Sequence, residues 1–202
     1  MAFLIIYYIA LFSSCLPLLF LIFQYKKIDF SLTENQLVSL LISSKFLFDI
    51  LVFVFEKIYC NSLPIFHVSV ISEFILIMLL LKRIHYFSLF NLFIFIGVSV
   101  SLLDATFISS IFSSNIFSSV INFGLLIFYS GKILSIQKIS KKDELFNATI
   151  FLYYTVALTY TVFQKFHIQK TTVSDFAFYF FAFATIAYNF SFTKITCILK
   201  RK

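Results

Sequence analysis

LPIFHVSVISEFILIMLLL, residues 63–81, decides the fold. The run carries one carboxylate, Glu73, and its other polar side chains are His67, Ser69 and Ser72. At 1.5 Å per residue, ~20 apolar residues cross a hydrocarbon core of ~30 Å. Asn61 or Ser62 can cap the helix, and Pro64 falls in its first turn, where a missing N–H costs nothing. Lys82 and Arg83 end it. Glu73 therefore lies near mid-membrane, where a carboxylate is expensive and needs a partner.

Working outward, the same reading recurs along the chain. Of 202 residues, 61% are hydrophobic and 12% charged, against about 25% charged in soluble domains. The apolar excess falls into runs of membrane-crossing length at residues 2–23, 36–55, 64–81, 89–108, 116–134, 148–163 and 173–192. The chain reads as all-α, a single seven-helix transmembrane domain in a polytopic bundle. The first run lacks a basic lead-in and is too long for a cleavable signal, so it is read as the first membrane helix. Pro17 removes one backbone donor there, which predicts a kink with Ser13 or Ser14 helping to satisfy the freed carbonyl. The 31 Phe residues are read as lipid-facing filler with a compositional bias behind them.

Lys and Arg set the expected orientation. Lys26, Lys27, Lys82, Arg83, Lys132, Lys138, Lys141, Lys142, Lys194, Lys200, Arg201 and Lys202 fall in the loops after the first, third and fifth helices or at the C-terminus. Only Lys57, Lys165 and Lys170 fall on the other side. The positive-inside rule then predicts an outside N-terminus and a cytoplasmic C-terminus in a bacterial inner membrane. The net charge of +7 belongs to this topology and gives no support for nucleic-acid binding.

Other chemistries find no residues. Cys15, Cys60 and Cys197 make no disulfide framework, and with His67, His85 and His167 they show no metal spacing. No nucleophile elbow, phosphate loop or catalytic motif is present, so no catalytic residue, metal or cofactor is assigned.

The intramembrane polar residues remain. Lys45 and Asp49, spaced i, i+4, lie about 40° apart on one face of the second helix. They can neutralise each other, or Lys45 can bridge to Glu73 at similar depth. Ser69 shares a face with Glu73, and the four form a candidate intramembrane polar site. His67 is about 120° around the helix from Glu73. It either meets the headgroups or joins Asp104 and Asp175 in an outer polar vestibule; Asp175 also suits the first turn of its own helix. Asn189, Tyr188, Tyr153 and Tyr154 are read as helix-packing groups.

These patterns in order carry a resemblance: Pro17 before Lys26-Lys27, Ser43-Ser44 with Asp49, His67 with Glu73-Phe74, and Asn189. The chain resembles a family of small, uncharacterised seven-helix membrane proteins frequent in Bacteroidota. The resemblance implies a layout similar to sensory membrane modules and points to His67, Asp49, Glu73 and Asn189. Lys45 departs from it.

The leading expectation is a receptor-like or sensory module acting through a separate partner at its basic loops. A small-solute or proton-coupled transporter using Glu73 and Lys45 is the alternative. The paired Pro-Gln motifs of seven-helix sugar transporters are absent. An intramembrane lipid enzyme and a passive assembly subunit follow.

Overall fold

A computed structural model of the chain describes residues 2–59, 63–87, 89–108, 116–136, 139–165 and 172–198. Every described regular element is helical: α1 (Ala2–Phe12), α2 (Cys15–Gln24), a 3-10 turn (Tyr25–Lys27), α3 (Thr33–Tyr59), α4 (Leu63–Ile84), α5 (Phe90–Leu103) with a π-helical turn (Asp104–Ile108), α6 (Ile116–Leu134), α7 (Lys141–Lys165) and α8 (Thr172–Ile198). With α1 and α2 taken as one broken span, the described residues hold 7 helices long and apolar enough to cross a membrane. This is the architecture of a multi-pass membrane protein.

The first span breaks at Ser13-Ser14, one turn before Pro17. Proline cannot donate to the Ser13 carbonyl, and the Leu16 N–H takes its place across 3.1 Å. The two hydroxyls serve the preceding turn instead: Ser13 Oγ donates to Ala10 O at 2.6 Å and Ser14 Oγ to Leu11 O at 3.0 Å. The sequence expectation placed a serine hydroxyl on the freed carbonyl itself; the backbone fills that role. All of these polar groups are satisfied within the protein, as hydrocarbon requires.

Several helices run past the apolar stretches that announce them. α3 covers Thr33–Tyr59 where hydropathy marks 36–55, and α7 begins at Lys141 where hydropathy marks residue 148. Hydrocarbon thickness limits the apolar run, whereas backbone caps limit the helix. Ser140 makes the cap for α7. Its Oγ accepts from the Asp143 N–H at 3.1 Å and donates to Asp143 Oδ2 at 2.6 Å, while its carbonyl takes the Glu144 N–H at 2.8 Å. Lys141, Lys142, Asp143 and Glu144 thus form a helical first turn, where a basic loop was expected. The boundary expected at Ser113-Ser114-Asn115 lies outside the described residues.

The spans close into a ring. Neighbouring pairs run α2–α3, α3–α4, α4–α6, α6–α7, α7–α8 and back through α8–α2 and α8–α1. α5 packs on α4 and α6 from outside. One end gathers the turns after the first, third and fifth spans. Lys142 pairs with Glu34 there, Lys132 sits 4.0 Å over the Phe87 ring, and Phe146 meets Phe192 edge-on. Lys26, Lys27, Lys82, Arg83 and Lys194 belong to the same end, which we call the basic end.

The bundle has an apolar core with buried polar groups set into it, and an apolar outside. Asn35, Asn122, Asn147, Asn189, Ser101, Ser119 and Asp104 are buried. Phe23, Phe95, Phe107 and Phe176 are each more than half exposed. A surface of large apolar side chains has no stable contact with water but suits lipid tails.

Candidate functional site

Lys45 and Asp49 occupy successive turns of α3. The sequence spacing puts both on the face turned into the ring, and Lys45 Nζ lies 3.4 Å from Asp49 Oδ1. The two side chains are 16% and 17% exposed. Lys45 therefore pairs along its own helix, and the alternative bridge from Lys45 to Glu73 is not formed. Among the described residues, the hydrogen bond made to Glu73 is from the neutral Tyr188 hydroxyl, 3.0 Å from Oε1.

Tyrosine rings surround this carboxylate. The Tyr153 and Tyr188 ring centroids lie 4.1 Å apart, and those of Tyr153 and Tyr154 lie 5.0 Å apart edge-on. Phe123 tilts against Tyr154 at 5.1 Å. The Tyr154 hydroxyl is buried beside Glu73 and Tyr188. It makes no hydrogen bond of standard geometry.

Glu73, Tyr153, Tyr154 and Phe123 line the floor of a cavity of about 340 Å³, with Tyr188 just behind it. All of α1, α3, α4, α6, α7 and α8 contribute to its lining, and α5 does not. The polar lining comprises Tyr7, Lys45, Asp49, Ser69, Glu73, Ser119, Tyr153, Tyr154, Tyr160, Thr161 and Thr185. Leu63, Phe66, Ile116 and Phe178, at or near the starts of their helices, wall the end away from the basic turns. From Leu63 to Glu73 is about 15 Å at the α-helical rise. The cavity thus occupies the half of the bundle opposite the basic end, with its charges at mid-depth.

The expected vestibule takes a different form. Ser69 shares the cavity with Glu73, one turn away on the same face. His67 is 3% exposed but does not line the cavity, because its position turns it away on α4. Asp104 is 0% exposed and belongs to the junction of α5 with α6. Its Oδ2 accepts the Ser118 N–H at 2.8 Å, in the first turn of α6. That carboxylate answers a helix N-terminus, which carries unpaired donors and partial positive charge. The Asp175 side chain lies outside the described residues. Among the described residues, neither His67 nor Asp104 lines the cavity, so the expected vestibule is not built from these two.

Asn189 donates to Ser13 Oγ at 2.7 Å and fastens α8 to the break in the first span. Tyr153 and Tyr154 pack between helices and also line the cavity. Sequence reading missed Tyr188 as the partner of Glu73. Its one available signal was a tyrosine at mid-depth in the last span. A second, smaller void of about 10 Å³ lies behind the floor, lined by Ser14, Pro17, Lys45, Tyr188 and Asn189 among others. That is room for about one water.

The floor can recognise charge and hydrogen-bonding groups in a low-dielectric setting. No group of three His, Cys, Asp or Glu side chains among the described residues could hold a metal ion. Comparison with protein-family models, with curated proteins and with solved structures finds no match.

Proposed function

We propose that the protein is a receptor-like membrane module. It binds a small molecule in the cavity opposite the basic end and passes that state to a separate partner. The observation that carries this reading is the cavity itself: about 340 Å³ with an aromatic wall and three ionisable side chains at its floor. Ligand sites have this composition, mostly apolar with a few placed polar groups, and typical volumes of ~300–1,000 Å³.

The floor supports a route for the signal. α3, α4 and α8 supply Lys45, Glu73 and Tyr188, and all three continue to the basic end. A ligand that displaces Tyr188 from Glu73 breaks the link that joins α8 to α4 across the interior. The orientation belongs to the same proposal. With the basic turns on the cytoplasmic face, as the positive-inside rule favours, the cavity would face the outside of a bacterial inner membrane.

Two measurements test this. A fluorescent-protein reporter at the C-terminus folds and fluoresces if that end is cytoplasmic, whereas an alkaline phosphatase reporter there stays inactive. Purification in mild detergent followed by native mass spectrometry detects a retained small molecule or partner. Neutralising Lys141 and Lys142 should release the partner. A protein that retains neither defeats the proposal.

A proton-coupled carrier is a second reading, favoured by one observation. Lys45 lines both the large cavity and the water-sized void behind it. A polar column thus runs past mid-depth toward Asn189 and Ser13. Flux in proteoliposomes that Glu73→Gln abolishes would select this reading.

A further inference from the structure

We infer that the cavity takes an amphipathic organic cation, an ammonium group on an apolar body, with Glu73 as its counter-charge. This rests on the proposed ligand site and names the chemistry of its occupant.

The charges of the floor do not balance. One lysine faces two carboxylates, Asp49 and Glu73. Lys45 is held by Asp49 at 3.4 Å. Among the described residues Glu73 has no cation within ion-pair distance, and its near polar neighbours are the phenols of Tyr188 and Tyr154. A half-buried carboxylate in this setting carries a large desolvation cost, which an incoming cation offsets.

The surroundings fit an organic cation better than a bare one. The cavity is far larger than an ion needs, and no metal-holding cluster is present among the described residues. Tyr153, Tyr154, Phe123 and Phe181 line the same space, Tyr153 and Phe181 with part of their ring faces covered by neighbouring rings. Aromatic faces attract ammonium groups by about 0.5–2 kcal/mol each. Tyr154 is 2% exposed, and its hydroxyl, beside Glu73, makes no hydrogen bond of standard geometry. An N–H of a primary ammonium bound to Glu73 would give that oxygen a donor. The apolar tail would then lie along Phe66, Phe178 and Leu63 toward the outer end. An anion is disfavoured there, since it would share the single cation Lys45 with two carboxylates, Asp49 and Glu73.

The test uses three probes of equal length: hexylammonium, hexanol and hexanoate. Binding to the full chain in neutral phosphatidylcholine nanodiscs is followed by saturation-transfer NMR, with empty nanodiscs as the blank. Hexylammonium should bind about tenfold tighter than either other probe, equivalent to about 1.4 kcal/mol. Glu73→Gln should remove the preference, and Glu73→Asp should keep it. Equal affinity for hexanol, tighter binding of hexanoate, or a preference that survives Glu73→Gln overturns the inference while leaving a ligand cavity in place. No saturable binding of any probe overturns the inference and the receptor reading together. The preference of the unaltered protein needs no variant, so a poorly folding Glu73→Gln does not block the test.

Discussion

The Tyr188 hydroxyl donates to Glu73 across 3.0 Å and joins two helices that are not neighbours in the ring. α4 and α8 are separated by the first spans on one side and by α6 and α7 on the other. The bond therefore crosses the interior and closes the cavity floor from α8. Tyr188→Phe removes only the hydroxyl. Interhelical hydrogen bonds in membranes average about 0.6 kcal/mol, while bonds to charged groups reach about 1.5–3. We expect a loss of about 1 kcal/mol by denaturant titration in micelles. A double-mutant cycle with Glu73→Leu, which removes the acceptor, should show coupling of similar size, and additive losses would show that the bond contributes nothing.

The Lys45–Asp49 pair predicts an asymmetry. Lys45→Met leaves Asp49 in the cavity without its cation, and an uncompensated charge costs more than the pair contributes. The side chains keep 16% and 17% exposure, which softens the penalty below that of a fully buried pair. Lys45→Met should lose about 1–3 kcal/mol. Combining it with Asp49→Leu should recover most of that loss. Unfolding titrations of both proteins decide it, and a double variant no more stable than the single one would contradict the expectation.

The legible part of this fold is its one-dimensional part. The run at residues 63–81 shows its own span because bilayer thickness acts on local sequence. Lys45 and Asp49 show their pairing because i, i+4 geometry is local. Glu73 and Tyr188 are 115 positions apart, and no local rule states which helices close the ring. The same limit explains Asp104. Its depth was readable, but its partner Ser118 depends on how α6 starts against α5. The cap at Ser140 was written in the sequence, since Ser-x-x-Asp precedes α7; the charge-rich turn around it hid the signal.

Asp104 gives a prediction about the start of α6. Its Oδ2 accepts the Ser118 N–H at 2.8 Å from a fully buried position. Asp104→Ala removes a buried acceptor from that donor and negative charge from a helix N-terminus. The combined loss should be about 1.5–3 kcal/mol. Asp104→Asn keeps an acceptor and should lose less. Amide hydrogen exchange over residues 116–119 should accelerate in Asp104→Ala before the rest of α6 does. Unchanged exchange there would mean that the carboxylate does not hold the helix start.

Gly97 brings α5 against the ring more closely than any other residue type allows. A Cβ there would lie 2.3 Å from Phe74 Cε1 and 2.7 Å from Asn122 Oδ1. Phe74 is almost fully buried and lines the cavity beside Glu73, so it can yield only inward. Alanine improves helix propensity by about 1 kcal/mol over glycine, but overpacking a tight contact costs about 1–3. Gly97→Ala should therefore be net destabilising by about 1 kcal/mol and should weaken hexylammonium binding as Phe74 enters the cavity. Gly124 supplies the control, because a Cβ there meets nothing within 4 Å. Gly124→Ala should leave binding unchanged and stability equal or slightly higher. Thermal unfolding and probe binding of the two variants side by side separate steric intrusion from helix propensity. Equal behaviour of the two alanines would show that α5 moves aside freely, and that the contact does not shape the cavity.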